Sequence, residues 1–150
     1  MWHQPTNHTL LERLRALAAF RPQFEQPGFV FSEWVPPRSE EPNVVHAGGD
    51  ALSGDALAFI KMAYDEDWVR GDFSWGAWKA TAEAAALRDN PDALAAATDD
   101  QLMRLLTTII RQNRFCEGTL SEAFEMGLLT AICRRAERLA DELAAGRPRP

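Results

Sequence analysis

The chain has few of the residues from which metal centres and disulfide frameworks are built. Only two of its 150 residues are cysteines, Cys116 and Cys133, and only three are histidines. No CxxC or HExxH pair occurs and the histidines are widely scattered, so we expect no metal site and no cofactor. Two cysteines without a ligand spacing favour free thiols in a reducing compartment. We therefore predict a cytosolic protein.

Long apolar runs and long basic runs are lacking as well. No stretch approaches the roughly 20 apolar residues that a membrane-spanning helix needs. The N-terminus has neither the basic start nor the apolar segment of a secretory signal. The formal net charge is −6, and no basic stripe interrupts the acidic surface. We therefore predict that the protein binds neither membranes nor the phosphate backbone of nucleic acids.

What the sequence does have is the composition of a globular protein. Apolar residues make up 46% of the chain and charged residues 25%, which is ordinary for a folded domain. A chain of this length can bury a single core without disulfides or metals. We predict one mainly α domain over residues 1–146, a bundle of about six helices, followed by a disordered tail over residues 147–150.

Three helix starts are predicted from capping boxes, in which a Ser or Thr caps the helix and a Glu or Gln three residues later reaches back. The three segments begin at Thr9, Thr98 and Thr119. The helix after Thr98 has the clearest pattern. Its apolar residues recur at the helical spacing and predict one buried face: Leu102, Leu105, Leu106, Ile109 and Ile110.

The remaining elements are predicted from periodicity and from Gly and Pro. We expect one helix from near Ser53, another over residues 75–88, and a weakening or break of the last long helix at Gly127. Residues 29–34 and 44–46 have β-branched and aromatic character and are separated by a Pro- and Gly-rich stretch. These two segments predict a small N-terminal β-hairpin.

Residues 68–78 contain three tryptophans and a phenylalanine. Trp75 and Trp78 are three positions apart, so they would share one face of a helix. Such a cluster is more often a packed junction between elements than a stacking wall for a ligand. Both tryptophans are nevertheless candidate ligand contacts.

The segment with the most chemically capable side chains is the corner, which we define as residues 111–118. Arg111 and Arg114 would lie on one side of a helical turn, where their guanidinium groups suit a carboxylate or a phosphate. Thr108, Asn113 and Thr119, with the free N–H groups of the helix after Gly118, would complete an anion pocket.

Three other interpretations of the corner remain open. The interpretation that we favour over the pocket is a structural latch, in which the arginines pair with Glu117, Glu122 or Glu125, because arginines that are not fully exposed are normally paired. They would instead hold a phosphorylated or carboxylated metabolite in a small enzyme with Glu117 as acid or base. A Cys116 nucleophile would need His46 as its base.

Two motifs resemble those of a family of small, uncharacterised bacterial domains of unknown function. They are Phe-Ser-Trp-x-x-Trp at residues 73–78 and Arg-x-x-Arg-Phe-x-Glu-Gly at residues 111–118. The resemblance covers most of the chain after Phe29 and implies a stand-alone helical domain without an assigned activity. The family usually has aspartate at the positions of Ser74 and Asn113, so an acid or base role of either aspartate would be lost here.

Taken together, these patterns favour a non-enzymatic binding or interaction module. Its partner would be an anionic small molecule or a protein, and a purely structural homo-oligomer is a further alternative. The candidate ligand-binding residues are Arg111, Arg114, Glu117, Thr108, Trp75 and Trp78.

Overall fold

A computed structural model describes residues 6–46 and 48–146 of the chain. Of Glu40, Glu41 and residues 44–46 it describes the backbone alone. The predicted tail over residues 147–150 lies outside the described residues, and so does His3.

The described chain is mainly α-helical, as predicted, with four short strands near its N-terminal side. The elements in order are α1 (Leu10–Ala18), α2 (Arg21–Phe24), β1 (Ser32–Val35), β2 (Arg38–Glu41), β3 (Val44–His46), β4 (Gly49–Leu52), α3 (Gly54–Asp65), α4 (Trp75–Lys79), α5 (Ala82–Asp89), α6 (Pro91–Ala95), α7 (Asp99–Asn113), α8 (Thr119–Glu125) and α9 (Leu128–Ala144). There are more helices than the six expected, because several have only four or five residues. The helix predicted over residues 75–88 divides into α4 and α5, since Thr81 starts a new helix by accepting from the Ala84 N–H.

The predicted pairing of residues 29–34 with residues 44–46 is wrong. Strand β1 pairs antiparallel with β4, with Trp34 opposite Asp50, and β2 pairs with β3. A tight turn causes this nesting: Asn43 has a φ of 68° and folds β2 directly onto β3. The chain then returns along β1, so that β4 becomes the partner of β1.

Two of the three predicted capping boxes are present. Thr9 with Glu12 and Thr98 with Gln101 each make both reciprocal hydrogen bonds. The third is wrong, because Thr119 is already the first residue of α8, and Gly118 stands at the N-cap with a φ of 94°. The predicted break at Gly127 is confirmed, since α8 ends two residues before it and α9 begins just after it.

The core lies between α7, α9 and the helices packed around them. All five apolar residues of the predicted α7 face are buried, and the neighbouring Thr107 and Thr108 are buried with them. The β1–β4 sheet contacts this core near α8. The ring of Phe31 stacks on that of Phe124 at 4.7 Å between centroids, and the Ser32 hydroxyl bonds that of Ser121 at 2.8 Å. These contacts bring β1 and β4 to the corner.

Across the described part of the chain, no helix combines the length and the apolar character needed to cross a bilayer.

Candidate functional site

The corner joins the end of α7 to the start of α8 and is attached to strand β4. Oε1 of Glu117 accepts the Asp50 backbone N–H at 3.0 Å. Gly49 makes this approach feasible, because a Cβ at that position would collide with the Glu117 carboxylate. The Leu120 N–H donates to Oδ1 of Asn113 at 3.0 Å, so this donor is not free for an anion, contrary to the expectation from sequence.

The predicted ion-pair latch is wrong. Within residues 48–146, which include all five side chains, neither Arg111 nor Arg114 forms an ion pair with Glu117, Glu122 or Glu125. Nε of Arg111 is buried and has no hydrogen-bond partner within the described residues. Arg114 is exposed. The hydrogen bonds made by Asn113 and Glu117 hold the corner instead, and neither arginine has an ion pair among the described side chains.

Arg111 lies along α7 between two aromatic contacts. Two helical turns before it, the guanidinium of Arg104 lies over the Phe73 ring at 5.1 Å from its centroid. One turn after it, Phe115 stacks on Trp75 at 6.4 Å, with the ring planes 22° apart. Arg104 and Phe115, which lie on either side of Arg111 in the chain, thus both contact the segment that carries Phe73 and Trp75.

A cleft of about 350 Å³ opens beside Arg114, and it is lined by Asp50, Leu52, Asn113, Arg114, Phe115, Glu117 and Gly118. Two large aromatic side chains nearby are unusually exposed, Phe115 at 76% and Trp34 at 66%. Because Trp34 is opposite Asp50 in the β1–β4 register, it lies on the same face of the sheet as Asp50. We call Trp34, Trp75, Arg111, Arg114 and Phe115 the corner surface.

The structure does not bring all six candidate residues together. Arg111, Arg114, Glu117 and Trp75 lie at the corner, whereas Thr108 and Trp78 line a separate cleft between α7 and α8. Trp78 is buried and its indole N–H donates to Glu83, while the Thr108 hydroxyl donates to the Arg104 carbonyl at 2.8 Å. Trp75 and Trp78 both belong to α4, but Trp75 stacks on Phe115 whereas Trp78 packs against Phe73 in the core.

Sequence reasoning missed three residues that lie beside the corner: Trp34, Asp50 and Leu52. Trp34 belongs to β1 and the other two to β4, far from the corner along the chain, and the β1–β4 pairing brings them together. The exposure of Trp34 has no signal in the sequence, since an isolated tryptophan in a strand usually predicts burial.

The thiols and acidic groups give no sign of a metal centre. Within residues 6–46 and 48–146, no three His, Cys, Asp or Glu side chains converge on one point. Both cysteines are free: Cys116 is exposed, and Cys133 is buried, which raises the pKa of its thiol. The proposed partner of Cys116, the His46 side chain, lies outside the described residues.

Comparison with known proteins gives a family without a function. No curated protein and no solved structure matches the chain significantly. One family model, described as a family of unknown function (DUF6508), matches residues 9–142. Since this match extends from the cap of α1 to the last turns of α9, the chain belongs to this family.

Proposed function

We propose that the chain is a non-enzymatic binding module whose corner surface holds a carboxylate or phosphate group carried by its partner. The observation that carries this proposal is the buried Nε–H of Arg111, which finds no acceptor in the part of the chain that the structure describes. Leaving a buried donor unpaired costs about 1–3 kcal/mol, and folded proteins rarely do so. An oxyanion bound from outside would supply the acceptor.

The surroundings of Arg111 support recognition by the same surface. Arg114 presents a second, exposed guanidinium without an ion pair in the part of the chain that is described. Phe115 and Trp34 offer exposed aromatic area beside it. Arginine and tryptophan are the residue types that most often dominate the binding energy of recognition surfaces. The carboxylates of Asp50 and Glu117 border the other side of the cleft, and they confine an anion to the arginine side.

Titration with simple anions tests the proposal. Inorganic phosphate and acetate are added at low ionic strength, with chloride at equal ionic strength as reference, and the melting temperature is followed. A specific site raises the melting temperature with ligand concentration by mass action, beyond the effect of chloride. Phosphate and acetate are compared because the two head groups would come from different classes of partner.

Two variants make the test specific. Arg111→Lys keeps the charge but removes the Nε–H and the planar fork, so the phosphate or acetate effect should fall at least fivefold. Arg15→Gln removes an exposed arginine on α1 and should leave the effect unchanged. The proposal fails if neither anion acts beyond chloride, or if the two variants respond alike.

We further infer that the protein works in the cytosol. Support comes from the exposed free thiol of Cys116, which persists best in a reducing compartment, and from the buried thiol of Cys133, which cannot pair with it. Fractionation of cells that produce the protein, followed by immunodetection, tests this location. Recovery in an extracytoplasmic fraction would contradict it.

A further inference from the structure

A cleft of about 290 Å³ lies between α6 and α9 and shares no lining residue with the cleft at the corner. Four residues of α9 line it at the spacing i, i+3, i+4 and i+7, which places them on one face of the helix: Ala131, Arg134, Arg135 and Arg138. From α6 the lining takes Pro91, Asp92, Leu94 and Ala95. The charged part of this lining is therefore mainly guanidinium.

Arg135 is the unusual member of this set, because it is charged and yet only 6% exposed. Its Nε–H donates to the Ala97 carbonyl at 2.8 Å, which holds the guanidinium just beyond the end of α6. Within the described residues its two terminal nitrogens make no hydrogen bond, and Arg135 has no ion pair. Neither nitrogen is fully enclosed, since Nε of Arg111 is the only side-chain atom described as both buried and unpartnered. The free donors of Arg135 therefore open into the cleft.

The charge of Arg135 is poorly compensated by the protein. Burial lowers the pKa of its guanidinium, and the charge of Glu142 offsets this only in part, while that of Arg138 acts in the same direction as burial. Buried charges in folded proteins are normally paired, because removing an ion from water is unfavourable unless a counter-charge replaces the water. An anion in the cleft would supply that counter-charge.

The other charged groups of the lining add to the positive charge. Arg134 and Arg138 are exposed and one helical turn apart, a spacing at which like charges repel. Arg138 has no ion pair in the part of the chain that is described. Arg134 contacts Glu25 at 3.3 Å, but Arg21 holds the same carboxylate more closely, at 2.5 Å. Asp92 is the one carboxylate of the lining and is exposed, so three arginines leave the cleft net positive.

We propose that the cleft between α6 and α9 binds the phosphate group of a small, soluble phosphate monoester. Such a group carries about 1.5 to 2 negative charges at neutral pH and three strong acceptor oxygens, which suits several guanidinium groups better than a carboxylate does. The organic part of the ester packs against Leu94, Ala95 and Ala131. Its size is about one aromatic ring, because an apolar cavity of about 150 Å³ accommodates benzene and the phosphate fills the remaining volume.

The experiment uses phenyl phosphate as the probe and two matched compounds as references. Benzoate keeps the ring but carries a single negative charge, and inorganic phosphate keeps the head group but lacks the ring. Binding is followed by calorimetry and by NMR shifts of the backbone amides in α6 and α9. Phenyl phosphate should bind at these helices at least tenfold more tightly than either reference.

Variants then assign the contacts. Arg135→Lys keeps a positive charge but removes the planar fork, so it should weaken phenyl phosphate binding at least tenfold. Arg138→Gln should weaken it at least fivefold, and its exposed position keeps this test independent of folding. Arg15→Gln removes an equally exposed arginine outside the cleft and should change binding less than twofold. Equal effects of Arg138→Gln and Arg15→Gln would overturn the proposal.

Two further comparisons separate this site from the corner and from a membrane. Arg111→Lys should leave the shifts in α6 and α9 unchanged, so the two proposed sites can fail separately. Phosphatidylcholine vesicles that contain phosphatidate carry the same group on a surface, and they should sediment no more protein than vesicles without it. Arg135-dependent sedimentation with phosphatidate, absence of phenyl phosphate binding at α6 and α9, or equal binding of either reference would each overturn the proposal.

Discussion

The Leu120 backbone N–H donates to Oδ1 of Asn113 at 3.0 Å across the turn between α7 and α8. Helix starts leave such N–H groups without partners inside the helix, and α8 has glycine at its N-cap. Asn113, the last residue of α7, therefore caps the start of α8 in place of an N-cap side chain. Position 113 is also where the family resemblance expects aspartate, which could accept the same bond.

Substitution of Asn113 should separate a capping role from any acid or base role. Asn113→Ala removes the acceptor and should lower the free energy of unfolding by about 1 kcal/mol, as measured by urea denaturation. Asn113→Asp keeps an acceptor and adds negative charge near a helix start, so its stability should equal or exceed that of the parent. Equal losses in the two variants would contradict the capping role.

The unpaired arginine gives a second stability test. Arg111→Met keeps an apolar stem at a half-buried position while it removes the buried Nε–H, which lacks an acceptor among the described residues. We expect the free energy of unfolding to stay unchanged or to rise by about 1 kcal/mol, because no favourable bond is lost. If Arg111 formed an ion-pair latch, the same substitution would instead lower the free energy of unfolding. A decrease of more than about 1 kcal/mol in thermal or urea unfolding would restore the latch interpretation.

The contrast between α7 and the small sheets shows which parts of the fold could be predicted. The apolar face of α7 and its cap at Thr98 are local patterns, and both are confirmed. The partner of β1 depends on a tight turn at Asn43 that brings β2 onto β3, and nothing in the sequence of residues 29–34 specifies it. At residue 119, the capping-box pattern was present but Gly118 already occupied the cap.

The candidate site could be predicted only in part, for a related reason. The arginines at positions 111 and 114 are neighbours in sequence, so their proximity was evident. Trp34 reaches the same surface through strand pairing, and Trp78 lies away from it because it is buried against Phe73 and bonds Glu83. Neither outcome depends on residues close to the site in sequence. The same holds for Glu117, which bonds the backbone of Asp50 rather than an arginine.

Two adjacent threonines of α7 provide a matched pair of substitutions. The buried Thr107 hydroxyl accepts the Arg70 N–H at 3.1 Å and lies 3.2 Å from the Trp68 carbonyl, to which it donates. Thr107→Val keeps the shape of the side chain but leaves the Arg70 N–H and the Trp68 carbonyl without this partner. The free energy of unfolding should therefore fall by about 1–3 kcal/mol. Thr108→Val loses only a bond to the Arg104 carbonyl, which also serves the helix, and should cost less than half as much. If differential scanning calorimetry gave similar losses of stability for the two variants, the hydrogen bonds of Thr107 would contribute no more to stability than that of Thr108.

The last prediction concerns pH. Nδ1 of His8 lies 2.8 Å from both carboxylate oxygens of Glu66 at the end of α3. This hydrogen bond, together with the charge of Glu66, raises the pKa of His8 above its ordinary value of 6.5. A raised pKa means that folding favours the imidazolium form. The stabilisation is therefore fully present below the unfolded-state pKa and is lost as the pH rises through the higher folded-state value.

Comparison of the parent with His8→Gln checks this pH dependence. At low ionic strength, the melting temperature of the parent should exceed that of the variant most at about pH 6, and the difference should shrink steadily towards about pH 9. Glu66→Gln should abolish the same pH dependence, because the histidine then has no carboxylate to pair with. Added salt should reduce the difference, since His8 is half exposed and its ion pair is screened. A difference between parent and His8→Gln that stays constant with pH would mean that His8 acts through packing and not through its charge.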